Sequence, residues 1–395
     1  MTAFRPTMLP EPRRHQFLVF GAPDIREEEI AEVVDTLRSG WLGTGPKTKR
    51  FEAAFADYVG ARHAVAVNSA TAALHLALLG LGIGPGHEVI TTPMTFVSTI
   101  NVILHAGATP VLVDVDRETM NLTPEAVDPA VTSRTRAVLP VHMTGRPCDM
   151  GGFADLARRH GIALVDDAAH AVEARWGNGS IGSIGAATAF SFYVTKNVVT
   201  GEGGMLTTGD DALADDARIR SLHGLSRDAW RRYSAGGFKP YDVVLPGWKY
   251  NMTDLQAALG LHQLQRAESN LRRREEIWAR YDEAFAVHPL LRTPSPVEGG
   301  RHARHLYTLL LDVERAPCNR DELVERLRLL NVGTGVHFVA AHLHSYYKAA
   351  LGTGRGDFPN AEWISDRTIS IPLSSRLTDE DVEDVIWAVS AALEA

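Results

Sequence analysis

A mostly parallel α/β sheet with helices on both faces, followed by a smaller α+β unit, is the fold class this sequence predicts. Three observations carry it. Between residues 61 and 208, short β-branched runs alternate with helical patterns, an order that lays strands side by side in parallel. Beyond Pro289 the strands and helices change spacing. The 395 residues also exceed what one core usually supports. The expected division is a large α/β domain with an N-terminal arm at 1–253, then a bridging helix and small C-terminal domain at 254–395.

Taken in order, the expected strands of the large domain are 64–67, 88–92, 110–115, 137–142, 163–166, 188–192 and 204–208. In such sheets ligands collect at the carboxyl ends of strands. Residues 68–71, 166–167 and 193–196 all follow a strand, which places them at one rim. Thr253 and Gln256 form a capping box that opens one long helix running to about Phe285. Its charged residues read as a solvated face. The small domain then follows as strand 306–312, helix 320–330, strands 335–338 and 368–372, and a last helix from Asp379.

Composition excludes several classes. Hydrophobic residues make up 45% and charged residues 22% of the chain, which suits a folded protein with a real core. A net charge of −8 argues against nucleic acid as partner. No apolar stretch is long enough to span a bilayer, and the prolines and charges of residues 1–14 do not fit a signal peptide. With Cys148 and Cys318 alone, neither a disulfide framework nor a metal ligand set is expected, and a cytoplasmic location fits best.

Lys196 is the most informative residue. Small and apolar side chains flank it, no acidic partner stands at helical spacing, and residues 201–204 form a Gly-Glu-Gly-Gly turn just after it. A surface role would not need those neighbours, whereas a Schiff-base lysine needs a fixed, partly neutral amine. The aldehyde this implies is pyridoxal 5'-phosphate. Its ring nitrogen needs a carboxylate partner, which Asp167 can supply.

The other candidates surround that pair. Residues 64–78 read as strand, tight turn and strong helix, so the Ala70–Thr71 turn would offer backbone N–H groups and a hydroxyl to a phosphate. Ser69 also fits as a plain N-cap. Ser191 gives a second hydroxyl, Phe96 an aromatic face for the cofactor ring, and His170 a group beside its phenolic oxygen. The glycines at 80–86 follow a helix rather than a strand, the wrong order for a dinucleotide loop.

Residues 68–72, 165–170, 190–196, 201–204 and 250–251 together resemble the DegT-type nucleotide-sugar aminotransferases, pyridoxal phosphate enzymes of fold type I, over nearly the whole chain. The resemblance implies the fold type I architecture, Lys196 as the Schiff-base residue, Asp167 at the pyridine nitrogen, His170 near the phenolic oxygen, Phe96 on the ring face, and Ser191 with Ala70 and Thr71 on the phosphate. It also implies that Asn251 reaches the phosphate of a neighbouring subunit, hence a homodimer with shared active sites. Residues 41–47, 223–230 and 333–338 are similar to the aminotransferases that make UDP-4-amino-4-deoxyarabinose, which implies substrate contacts at Thr44 and His337. The expected function is transfer of an amino group, with L-glutamate as donor, to a nucleotide-linked 4-keto sugar. Two alternatives share the scaffold: a sugar dehydratase, whose known form has histidine in place of this lysine, and a non-catalytic aminosugar-binding regulator.

Overall fold

The computed structural model describes residues 9–226 and 242–394. Half of the substrate-side stretch at 223–230, residues 227–230, therefore lies outside the described residues. In chain order the first nine strands are β1 (His63–Val67), β2 (Glu88–Thr91), β3 (Thr109–Leu112), β4 (Thr135–Val138), β5 (Ala163–Asp167), β6 (Arg175–Trp176), β7 (Gly179–Ser180), β8 (Ala187–Ser191) and β9 (Gly204–Thr208). Seven of them form one sheet in the order β1-β9-β8-β5-β4-β2-β3. Within this sheet β9 alone runs opposite to the other six strands.

Alternation along the strands sorts side chains between the two faces. In β1, Ala64 and Ala66 join a core that holds Phe51, Phe55, Phe190 and Phe192, while Val65 and Val67 face the helix Ala70–Gly80. That helix is buried at Ala70 and from Ala72 to Leu78, as an all-round apolar helix must be. Asp166 and Asp167 separate in the same way, one to each face.

Four expectations change. The strands foreseen at 110–115 and 137–142 end at Leu112 and Val138. Sheet edge β3 loses its only partner after Val113 bonds the Thr91 carbonyl, and Pro140 has no N–H to extend β4. The long helix is two, Asp254–Gln265 and Ala267–Phe285. The break falls at Arg266, whose guanidinium turns aside to the fully buried Glu29 and to the Asp24 carbonyl. Residues 335–338 form no strand, because only Gly335 pairs with Ser370 before the chain turns into the central cavity.

The later strands are β10 (Leu291–Arg292), β11 (Gly300–Arg301), β12 (Tyr307–Leu311) and β13 (Thr368–Ile371). Antiparallel β10-β12-β13 packs with the helices Ala267–Phe285, Arg320–Leu329 and Asp379–Glu394 around a separate core running from Ile277 to Leu393. β11 instead joins β6 and β7 beside the large sheet. Leu9 and Leu18 pack on the C-terminal core, and Arg14 pairs with Asp381 at 2.7 Å and Asp384 at 3.0 Å. The N-terminal segment is thus fastened to the far end of the chain. Among the described residues, no helix is long and apolar enough to cross a membrane.

Candidate active site

One cavity of about 450 Å³ opens at the carboxyl ends of the parallel strands. Its wall collects residues that follow β1 (Ala70, Thr71), β2 (Thr95, Phe96, Ser98), β5 (Asp167, Ala169, His170) and β8 (Ser191, Tyr193, Lys196). The C-terminal region closes it with His305, His337 and Phe338. Its size and mixed lining suit a small aromatic cofactor with part of a substrate.

Lys196 reaches this cavity from the turn after β8, where its N–H bonds the Tyr193 carbonyl at 2.8 Å. Burial lowers its pKa to about 8, and the Asp167 carboxylate opposes that shift. Among the described residues no carboxylate lies within ion-pair distance of the amine, and with a pKa of about 8 roughly a tenth of it is neutral at pH 7. Asp167 ends β5 and is buried. Its Oδ2 accepts from the Thr99 hydroxyl at 2.8 Å and its Oδ1 from the Ala169 N–H at 3.1 Å. Burial raises its pKa, while both hydrogen bonds and the Lys196 charge pull it back.

Three imidazoles stand near the lysine. His170 is buried, stacks on Phe338 with ring centroids 6.0 Å apart, and lies 4.5 Å from His305. Burial, with the Lys196 charge, holds its pKa well below the usual range. Its Nδ1 is buried without a hydrogen-bond partner, a polar atom oriented for something the protein alone does not provide. His337 bonds the Ser370 hydroxyl at 2.9 Å, and burial lowers it to about 4. Phe96 is 58% exposed, which leaves its ring free to cover another ring.

The phosphate end follows from helix capping. Ser69 Oγ accepts from the Ala72 N–H at 3.1 Å, so Ser69 is the N-cap, while the N–H groups of Ala70 and Thr71 have no intrahelical acceptor. Ser191 lies beside them in the lining. The glycine turn makes this packing possible: a Cβ on Gly204 would sit 2.4 Å from the Ser69 carbonyl carbon, and one on Gly203 2.1 Å from Thr200 Oγ1. The donor set, the amine of lowered pKa, the buried carboxylate and the orphaned His170 nitrogen fit pyridoxal phosphate.

Eight of the ten residues singled out from the sequence line this cavity: Ala70, Thr71, Phe96, Asp167, His170, Ser191, Lys196 and His337. Thr44 and Asn251 do not. They sit together elsewhere, with the Asn251 amide donating to Thr44 Oγ1 at 2.7 Å and Asn251 Oδ1 buried without a partner. Sequence reasoning missed Thr99, which holds Asp167 and stands three residues after Phe96. It also missed His305, and it placed Tyr193 at the rim and Phe338 in a substrate-side stretch without giving either a role. Asp166, next to the chosen aspartate, bonds Thr188 at 2.9 Å on the opposite face, and burial raises it to about 7. It does not line the cavity. Among the described residues no group of three or more His, Cys, Asp or Glu could hold a metal ion.

Comparison with known proteins gives concordant matches. The model of the DegT/DnrJ/EryC1/StrS aminotransferase family matches residues 23–390. The chain is 54% identical to the spore coat polysaccharide biosynthesis protein SpsC of Bacillus subtilis, over 95% of this chain and 97% of SpsC. Its structure resembles the PLP form of Spr1654 from Streptococcus pneumoniae with a TM-score of 0.88 and 35% identity, covering 96% of this chain and 99% of that one. PseC of Helicobacter pylori, an aminotransferase involved in the biosynthesis of pseudoaminic acid, also gives a TM-score of 0.88, at 27% identity over 96% of this chain and 100% of PseC.

Proposed function

The chain belongs to the DegT/DnrJ/EryC1/StrS aminotransferase family, and on that premise we propose that it moves an amino group from L-glutamate to the C4 carbonyl of a nucleotide-linked keto sugar. It is a pyridoxal phosphate-dependent aminotransferase of fold type I. The observation that carries the reading is the Lys196 amine, lowered to about 8, facing one cavity with the buried Asp167 and the free N–H groups of Ala70 and Thr71. The sugar substrate is supported by SpsC, a polysaccharide biosynthesis protein, and by PseC.

When bound, pyridoxal phosphate supplies an electron sink for the carbon that loses its proton. Ala70, Thr71 and Ser191 would hold its phosphate, Asp167 its ring nitrogen, His170 its phenolic oxygen and Phe96 its ring face. Lys196 anchors the cofactor and, when released, carries the proton to and from the substrate carbon, which requires a neutral amine for part of the cycle. His337 contacts the substrate in this cavity; Thr44 lies outside that lining beside Asn251 and would contact the substrate of the second copy. Residues 1–253 form the cofactor domain, and 254–395 supply His337 from the opposite side.

The working unit is a homodimer in which Asn251 serves the phosphate of the second copy. In this chain Asn251 lies outside its own cavity lining, and its side-chain NH₂, which donates to Thr44 Oγ1 at 2.7 Å, is the group that would meet a phosphate. Cys148 and Cys318 are both free and buried, which suits the cytoplasm.

The test incubates the loaded enzyme with L-glutamate and UDP-, dTDP- or GDP-linked 4-keto sugars and weighs the products by mass spectrometry. A 4-amino sugar with stoichiometric 2-oxoglutarate is the expected result. Absence of any amino product across all three nucleotides, in protein that carries the cofactor, overturns the reading.

A further inference from the structure

His305 lines the cavity beside His170, yet nothing in the cofactor assignment uses it. The residues behind it are unusual in being fully determined by their hydrogen bonds. Arg274 and Glu173 form a buried ion pair at 2.7 Å, with side chains 3% and 0% exposed. The second Glu173 oxygen accepts from Asn197 Nδ2 at 2.8 Å, and the same amide nitrogen donates to the Ala303 carbonyl at 2.9 Å. A carboxylate and a carbonyl are both acceptors, so the NH₂ group of Asn197 must point at them. Asn197 Oδ1 is then the atom 3.0 Å from His305 Nδ1, and an amide oxygen there only accepts. His305 Nδ1 therefore carries the ring proton.

In a neutral imidazole the other nitrogen must be an acceptor. Burial, with the positive charge of Lys196 and of other nearby cations, holds the His305 pKa well below its usual range, so the ring is neutral. His305 Nε2 is not among the buried unpartnered atoms, which leaves it as the nitrogen available to the cavity.

We propose that His305 is a specificity-determining residue that accepts a hydrogen bond through Nε2 from a hydroxyl of the keto sugar, and that Asn197, Glu173 and Arg274 are positioning residues that fix the tautomer able to do so. The inference rests on reading the acceptor substrate as a hydroxylated keto sugar. A lone pair at this point favours a sugar hydroxyl and disfavours the carboxylates of the amino donor, which are acceptors themselves. A site built to pair with a hydroxyl discriminates strongly against molecules that lack it, because its own acceptor is otherwise stranded.

The experiment separates the two halves of the reaction in the loaded enzyme. The amine half is run with L-glutamate alone and followed by cofactor absorbance. The sugar half is run with dTDP-4-keto-6-deoxyglucose after the amine half is complete. His305→Phe keeps a flat ring but removes the acceptor, and should lower kcat/KM of the sugar half by about ten- to a hundredfold while leaving the amine half unchanged. His305→Gln, which can present an amide oxygen, should recover most of that loss. Equal losses in both halves, or none in either, overturn the proposal.

Asn197→Leu gives a second reading that needs no sugar. ¹⁵N NMR of histidine-labelled protein without cofactor, with the His305 signal assigned by its absence in His305→Phe, should find the proton on Nδ1 in the wild type and spread over both nitrogens in Asn197→Leu. A proton on Nε2 in the wild type overturns the acceptor role. A wild-type enzyme that aminates none of the three classes of keto sugar overturns the substrate reading instead, while the tautomer measurement still decides whether His305 is an acceptor.

Discussion

The cofactor wall of the cavity and the Thr44–Asn251 corner are built on different physics. Apart from Phe20, every residue of the wall that precedes residue 200 ends or follows a strand of one sheet, so strand register places Thr71, Phe96, Asp167 and Lys196 together. Thr44 and Asn251, by contrast, come from segments 207 residues apart that are joined outside that wall by the Asn251–Thr44 bond, by the Thr44 hydroxyl on the Met252 carbonyl and by Asp254, which accepts from Gly45, Lys47 and Thr48. The residues of that lining all come from one chain. The corner keeps the buried Asn251 Oδ1 without a hydrogen-bond partner.

The comparison predicts that damage to the wall is severe and damage to the corner can be rescued. Lys196→Ala removes the proton carrier, so turnover should fall by about 10²–10⁴-fold from general acid–base catalysis alone. Borohydride treatment of the wild type followed by peptide mapping should place the reduced cofactor on Lys196. An adduct on another lysine would break the assignment of the wall.

Asp167→Asn should come next, with the fold kept and turnover lowered by about a hundredfold, since a neutral amide cannot keep the ring nitrogen protonated. Thr99→Val tests the same carboxylate from behind. Losing a hydrogen bond to a charged group is worth about 1.5–3 kcal/mol, so a loss of about ten- to a hundredfold is expected, together with a further rise in the Asp167 pKa. Near wild-type turnover in Asp167→Asn would remove the distinction between this aspartate and its neighbour Asp166, which lies on the other face.

What was legible in the sequence divides along the same line. Lys196, Asp167, His170 and the Ala70–Thr71 turn were readable because their surroundings in the chain are their surroundings in space: a strand end, a glycine turn, a helix start. The parallel order of the sheet followed from the same local alternation. The break at Arg266 was not readable, because the buried Glu29 that draws it aside is 237 residues away. His305 was missed for a similar reason, since its meaning lies in a chain of partners at 173, 197 and 274. The strand foreseen at 335–338 failed because an extended pattern can as well line a cavity as join a ladder.

The corner is sharpened by complementation. Mixing Lys196→Ala and Asn251→Asp subunits, each inactive alone, should give heterodimers with one doubly defective site and one intact site if Asn251 crosses between chains. Up to about half of the wild-type activity per heterodimer should then return. Verified exchange with no recovery would assign Asn251 to its own chain and erase the contrast drawn above.

The smallest effect concerns the energy stored in the wall itself, measured on protein without cofactor. Folding lowers the Lys196 pKa from its ordinary 10.5 to about 8, so between those values the unfolded chain holds more protons than the folded one. Stability contributed by this group therefore rises with pH across that window and is flat below it, the reverse of a paired lysine. Lys196→Met has no proton to release. Its melting temperature should exceed that of the wild type by a few degrees at pH 8, where the buried amine is still half charged, and the gap should narrow towards pH 10. Retention of the full gap at pH 10 would mean that the difference comes from packing, and that the wall holds its lysine without the desolvation that makes the amine available for chemistry.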